Sequence, residues 1–324
     1  MSILIRSSSL SLQPFLRSQQ LQQLQQSARL LSTKKTPRAR APLILSTTSD
    51  KGVTTLTMNN PKKLNGWTEP MMLEMQAAFK SCATDPKTKV LILTSSQEKP
   101  GYYCAGVDLS GTIKPMHFKD LHLMIKSSNQ TTFEQFLVFP KPIIVAVNGP
   151  AIGASVTTAT LSDAVIAAEE ATFSTPFARL GVPPEGCSSV HFDFMMGEEN
   201  AQRMLGEEGF APTGKEAKEM NLVDECVPLE ELMPTAVALA EKWIEEGGAR
   251  LEKRSHRGNT DTNTLVAVNE QESKDLADAF LGAKFLSVQA EFLEKKGKTV
   301  PSLVFKALIA TRFLWKNLYT PYAK

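Results

Sequence analysis

Cysteine is scarce in this chain and poorly placed for cross-linking: Cys82, Cys104, Cys187 and Cys226 are scattered along it, and no two share a CxxC spacing. That excludes a disulfide-built scaffold and a thiolate zinc site, and it points to a reducing compartment. Histidine is equally thin. His117, His122, His191 and His256 are dispersed at no zinc-ligand spacing, so no metal centre is expected. No apolar run reaches the length of about 20 residues that a membrane-spanning helix needs, so no transmembrane segment is expected. Acidic side chains are missing from residues 1–42, which carry Arg6, Arg17, Arg29, Lys34, Lys35, Arg38 and Arg40 among Ser, Gln and spaced leucines. A basic, acid-free stretch of this kind fits a transit peptide, with a disordered basic arm as the alternative. Its one aromatic is Phe15, which argues against nucleic acid as a partner.

What is present is enough for an ordinary core: 324 residues, 42 % of them hydrophobic. The net charge of +2, less the seven N-terminal cations, leaves the remainder at −5. The folded part is expected to begin near Leu43, after the Pro- and Arg-rich stretch that ends at Pro42. Residues 53–58 and 90–94 are β-branched and read as strands. Between them, residues 68–83 place Met71, Met72, Met75, Ala78, Phe79 and Cys82 at helical spacing, with Thr68 as N-cap and Pro70 in the first turn. The wholly apolar 143–147 reads as a buried strand, followed by a small-residue helix from 151 to 161 and another strand at 163–168, which Asp163 opens in a structural role. Strands apolar on both faces that alternate with helices predict an α/β architecture. No sequence repeat is detectable. From residue 217 to 298 the pattern is mostly helical, interrupted by a short strand at 223–227. The tail after Pro301 mixes apolar residues with Lys306, Arg312 and Lys316. It reads as an amphipathic helix, docked either on its own domain or on a partner or membrane surface.

Two glycine-containing turns are the candidates for chemistry. One is Tyr102-Tyr103-Cys104-Ala105-Gly106-Val107-Asp108 after the second strand; the other is Asn148-Gly149-Pro150-Ala151-Ile152-Gly153-Ala154, where a strand meets a helix. The first amides of a helix lack intrahelical acceptors and carry the positive end of its dipole, so converging turn amides make an oxyanion hole. Either turn alone reads more readily as a tight connection. With the intervening Lys141-to-Gly149 stretch, their order and separation resemble the crotonase superfamily of enoyl-CoA hydratases and isomerases. Further on, residues 171–177, Leu180-Gly181 and Pro184-Glu185-Gly186-Cys187-Ser188-Ser189 are similar to the peroxisomal-type Δ3,Δ2-enoyl-CoA isomerase branch. Residues 267–272 and Phe292-Leu293 share that similarity, which spans about residues 43–298.

The resemblance implies a spiral of ββα units over 43–255, a C-terminal helical region over 256–298 that joins subunits into trimers or pairs of trimers, and a tail at 299–324. It implies an acyl-CoA thioester as substrate and no separate cofactor, since coenzyme A belongs to the substrate. It places the oxyanion-hole amides on Val107 and Ala154 and the catalytic base on Glu185. It places coenzyme A contacts on Lys62, Lys63, Leu64 and Gly66 and on Cys104, Ala105, Gly106, Val107 and Asp108, with the two lysines toward the phosphates. Two adjacent loop lysines are otherwise simply solvated, Asp108 orders its turn, and Cys104 and Cys187 read as small buried fillers.

Chemistry separates isomerase from hydratase. Adding water across a conjugated bond calls for positioned carboxylates, and the superfamily's hydratases use two glutamates. The matching positions here are Thr157 and Phe177, so one carboxylate must suffice, as it does for moving a double bond. Val182, Pro183, Pro184, Gly186 and Cys187 around Glu185 are uncharged, which in a dry pocket raises proton affinity. Glu185 as cap of a helix starting at 186–189 is the competing reading. The expectation is thus an enoyl-CoA isomerase of fatty-acid β-oxidation. The alternatives are a non-catalytic acyl-CoA-binding relative or a hydratase. The N-terminus points to the mitochondrial matrix, with peroxisome or plastid behind it; the chain ends Pro321-Tyr322-Ala323-Lys324 rather than in a Ser-Lys-Leu signal.

Overall fold

The computed structural model describes residues 41–96, 101–108, 116–247 and 261–319. The expected transit segment therefore lies outside the described residues, as does the boundary expected near residue 255.

Residues from Pro42 onward form one compact unit. β1 (Ile44–Thr48) pairs antiparallel with β2 (Val53–Met58), Ile44 opposite Met58. A 3-10 turn, Pro61–Lys63, leads to α1 (Glu69–Thr84), whose Thr68 cap accepts from the Met71 amide. The buried stripe Met71, Met75, Phe79 and Cys82 holds α1 on the sheet side, as the helical spacing predicts. β3 (Val90–Ser95), α2 (Phe118–Leu137) and β4 (Ile143–Val147) follow. Next come β5 (Ala151–Ile152), α3 (Ala154–Thr160), β6 (Ala164–Ala168) and β7 (Phe173–Ser174). The helix expected from 151 thus starts three residues late. Thr172 O takes the Ala151 amide and Cys104 O the Ile152 amide, so these two residues belong to a second, small sheet with β7, and Gly153 at φ 61 breaks the chain before α3.

The main sheet runs β1-β2-β3-β4-β6-β8, parallel apart from β1, where β8 is Glu225–Val227. Its inner strands β3, β4 and β6 bury both faces, alternating residue by residue. Leu91, Leu93, Val145, Val147, Val165 and Ala167 face the larger core, which they share with α1 and the small sheet. Val90, Ile92, Ile144, Ala146 and Ile166 face α8 (Leu229–Glu245) through its Leu232, Ala236, Ala240 and Trp243. Asp163 is structural: its carboxylate accepts from the Ile143 amide at 2.9 Å.

Before α8 lie α4 (Phe177–Leu180), α5 (Ser188–Met196), α6 (Glu198–Leu205) and α7 (Gly214–Glu219). After it come α9 (Thr262–Phe280), α10 (Ala283–Lys295) and α11 (Thr299–Trp315). These last three make a separate apolar cluster through Leu276, Phe285, Leu286, Phe305 and Trp315. The tail is therefore a helix that packs on its own domain through one face, with Trp315 stacked on Phe118 of α2 at 4.1 Å between centroids. Its other face leaves Val300, Leu303, Val304 and Leu314 exposed. Among the described residues no helix is long and apolar enough to cross a membrane.

Candidate active site

The two turns singled out in the sequence meet. Cys104 donates its amide to Pro150 O at 3.1 Å and accepts the Ile152 amide at 3.0 Å, so the first turn is hydrogen-bonded to the segment just before α3. A Cβ on Gly106 would stand 2.9 Å from Ile152 O, so only glycine permits this approach. Val107 bridges to Trp67 through its neighbours: Gly106 O takes the Trp67 amide at 2.8 Å and Trp67 O takes the Asp108 amide at 3.0 Å. That pattern points the Val107 N–H away from the ladder. Ala154 is the first residue of α3, where no intrahelical acceptor exists. Among the described residues neither amide meets a protein acceptor, and both residues line one cavity of about 490 Å³.

One end of this cavity is apolar, walled by Met124, Ile125, Phe177, Leu180, Leu276 and Phe280. Three carboxylate residues line it. Glu69 and Asp108 reach solvent; Glu185 is 7 % exposed. Asn129 of α2 donates its amide to Glu185 Oε2 at 2.6 Å and accepts from the Ser273 hydroxyl of α9 at 2.8 Å. Burial pushes the Glu185 carboxyl up to about 7; the Asn129 bond pulls it down and the nearby Glu272 carboxylate adds to the rise.

Glu185 does not cap the helix that follows it. Its carbonyl accepts from Ser188 (amide 3.3 Å, hydroxyl 2.8 Å), while α5 begins after Gly186 and Cys187, both at positive φ. The capping carboxylate comes from α9 instead: Glu272 accepts from the Cys187 amide at 2.6 Å and from the Ser189 amide and hydroxyl at 3.0 and 2.5 Å. Glu185 is left facing the cavity.

The remaining sequence expectations sort by position. Thr157 is fully buried beside Gly186, its Oγ1 2.8 Å from where a Cβ would sit, and Phe177 lines the cavity; neither supplies a carboxylate. Ala105 to Asp108 line the cavity. Cys104 does not: its side chain is fully buried in the core, Gly106 donates its amide to Sγ at 3.3 Å, and burial pushes the thiol up to about 12. The 60–66 loop is stitched to the same turn, Leu64 O accepting from the Ala105 amide at 3.0 Å and Asn65 Nδ2 donating to Tyr102 O at 2.8 Å. Lys62, Lys63, Leu64 and Gly66 stand outside the cavity wall, and the exposed Lys63 ammonium is 4.0 Å from Asp108. Asn129, Ser273 and Glu272 were not singled out in the sequence. They sit mid-helix in polar runs, far from residue 185 along the chain, where nothing local distinguishes them from a solvated face.

A buried carboxylate and two amides that meet no protein acceptor among the described residues share one largely apolar cavity, an arrangement that can hold an anionic oxygen beside a proton carrier. Residues 48–299 match the enoyl-CoA hydratase/isomerase family, and the chain belongs to it. It is 35 % identical over 260 residues to "Enoyl-CoA delta isomerase 2" of Rattus norvegicus, covering 78 % of this chain and 63 % of that protein. It is 36 % identical over 194 residues to "Enoyl-CoA delta isomerase 3, peroxisomal" of Mus musculus, covering 59 % of each. The chain thus spans less than two thirds of these relatives. The solved structure of a putative enoyl-CoA hydratase/isomerase from Acinetobacter baumannii shares the fold with TM-score 0.63 at 22 % identity, over 76 % of this chain and 100 % of that one.

Proposed function

We propose that the chain moves a double bond along an acyl-CoA thioester, converting 3-enoyl-CoA to trans-2-enoyl-CoA. The observation that carries this is Glu185: a single buried carboxylate on a cavity that also presents two unpartnered amides. The thioester oxygen sits against the Val107 and Ala154 N–H groups. Glu185 removes a proton from C2, and the C–H electron pair passes into a dienolate whose oxygen those amides hold. The carboxylic acid returns the proton to C4 as the C2=C3 bond forms, so no water or redox partner enters. Proton affinity near neutrality suits a group that must both take and give a proton at that pH. With threonine and phenylalanine at 157 and 177, no second buried carboxylate lines the cavity among the described residues to direct a water, which disfavours hydration.

The same reading assigns the thioester's coenzyme part to the edge formed by the 60–66 loop and Ala105 to Asp108, with Lys62 and Lys63 toward the phosphates. It assigns the work to fatty-acid β-oxidation, the N-terminal segment to mitochondrial targeting, and the assembly to trimers or pairs of trimers. The test is turnover of a series of 3-enoyl-CoA thioesters by the purified chain with nothing added, followed by the absorbance of the conjugated product. Glu185→Gln is expected to lose about 100-fold or more in kcat while still binding acyl-CoA. Unchanged turnover in that variant, or hydration of crotonyl-CoA by the wild type, overturns the reading.

A further inference from the structure

Glu272 is a second buried carboxylate, 6 % exposed, that the proposed reaction does not use. Its two oxygens face three donors on the turn that follows Glu185: the amides of Cys187 and Ser189 and the Ser189 hydroxyl. Both oxygens accept from amide N–H groups, which favours the ionised form against the burial that pushes this carboxyl up. The turn needs such a clamp. Gly186 and Cys187 have φ 67 and 64, and for cysteine the left-handed region is disfavoured, so the Glu185 backbone is aimed by a conformation that the local chain does not prefer. On the same helix, the next residue, Ser273, orients Asn129, which holds the Glu185 carboxylate itself. α9 therefore acts on Glu185 twice, through the turn that follows it and, by way of Asn129, through its side chain.

We propose that Glu272 is a positioning residue for Glu185: its carboxylate clamps the 185–189 turn, and the negative charge it sets beside that turn shifts upward the pH range over which Glu185 takes a proton. A like charge nearby in a dry site makes ionisation of the second carboxyl harder. The other ionisable groups around the pair are few. Asp275 on α9 lies near Glu272, Lys126 of α2 is bonded to Glu270 on the outer side at 2.9 Å, and Glu69 and Asp108 line the cavity where it opens to solvent. Glu272 is thus the acid packed closest behind the 185–189 turn.

The inference rests on Glu185 being the proton carrier, so its test needs a readout apart from turnover. The carboxyl of Glu185 is titrated by infrared difference spectroscopy against Glu185→Gln, in the wild type and in Glu272→Gln and Glu272→Asp. In the same three proteins, kcat/KM on 3-enoyl-CoA is measured against pH. Loss of the Glu272 charge is expected to move the Glu185 midpoint and the acid limb of the profile down together, by about half a pH unit or more. Glu272→Asp, which keeps the charge, is expected to keep the midpoint while lowering kcat because the clamp is shorter. A Glu272→Gln protein that folds and melts at lower temperature with an unmoved midpoint makes Glu272 a structural cap and overturns the proposal. If the wild type turns over no 3-enoyl-CoA, the infrared midpoints still decide it. If Glu272→Gln does not fold, a kcat unchanged in Glu272→Asp overturns it equally.

Discussion

At Glu185, burial and hydrogen bonding pull in opposite directions, and burial wins: the carboxyl titrates at about 7 rather than at the 4.5 of an exposed glutamate. Asn129 donates to the ionised form, so it is the group that keeps Glu185 from rising further. Removing it in Asn129→Ala should therefore shift the acid limb of kcat/KM upward, the opposite sense to loss of Glu272. The lost charge-assisted bond is worth about 1.5–3 kcal/mol, or roughly 10- to 150-fold in kcat/KM at neutral pH. A pH profile that stays in place would mean that Asn129 does not touch the working carboxylate. The raised proton affinity also has a cost to folding. Between pH 4.5 and 7 the folded chain keeps a proton that the unfolded chain has released, so this group's contribution to stability falls as pH rises through that window. The full effect is about 3 kcal/mol from a shift of this size, so Glu185→Gln should melt several degrees above the wild type at pH 8 and level with it at pH 4. Equal melting temperatures at both pH values would show that the carboxyl is solvated. Asn129 and Glu272 escape a reading of the sequence because each acts across 56 and 87 residues of chain, and a polar residue inside a helix says nothing of what the fold brings to it. Glu185 shows locally only as one acid among apolar and glycyl neighbours; its role as base is what the family resemblance implies.

The element that decides the site is the turn into α5. A Cβ on Gly186 would lie 2.5 Å from Phe133 Cε1 and 2.8 Å from Thr157 Oγ1, in a backbone region that L-residues avoid. Phe133 is fully buried on α2 and cannot swing away. Gly186→Ala is therefore expected to cost about 1–2 kcal/mol for the left-handed backbone alone, with the clash added. Because the backbone relieves the clash by moving, activity should fall even under conditions where the variant stays folded. Denaturant titration paired with turnover measures both, and a variant as stable and active as the wild type would show that the turn relaxes freely. The strands β3 and β4 are readable because a doubly buried strand is a short run of branched apolar residues, and β2 because its valine and threonines are β-branched. The start of α3 was not. Small residues at 151–153 satisfy a helix and a strand equally, and the choice is made by acceptors at Thr172 and Cys104 that belong to other parts of the chain.

For the whole molecule, the unused surface lies on α11. That helix spends one apolar face on α10 and α2, with Phe305 and Trp315 buried, and keeps a second at Val300, Leu303, Val304 and Leu314, which are 73, 56, 48 and 67 % exposed. At helical pitch these four fall within about 100° of one another and form a stripe, while Phe313, 71 % exposed, lies on another side of the helix. The amphipathic tail was legible in the sequence, but its two apolar faces were not, since a single helical period cannot say which of them the chain itself covers. If the chain assembles as a trimer, this stripe is one apolar surface that a second copy can cover. Light scattering should then give three or six times the 35.5 kDa of the chain, and Leu303→Glu with Leu314→Glu should shift it toward the single-chain mass without changing far-ultraviolet circular dichroism. Two carboxylates placed in such a contact would be desolvated without partners, which a marginal interface does not withstand. A wild-type chain that runs as a monomer, or a double variant that still assembles, would move the subunit contact elsewhere on the surface and leave the stripe without that role.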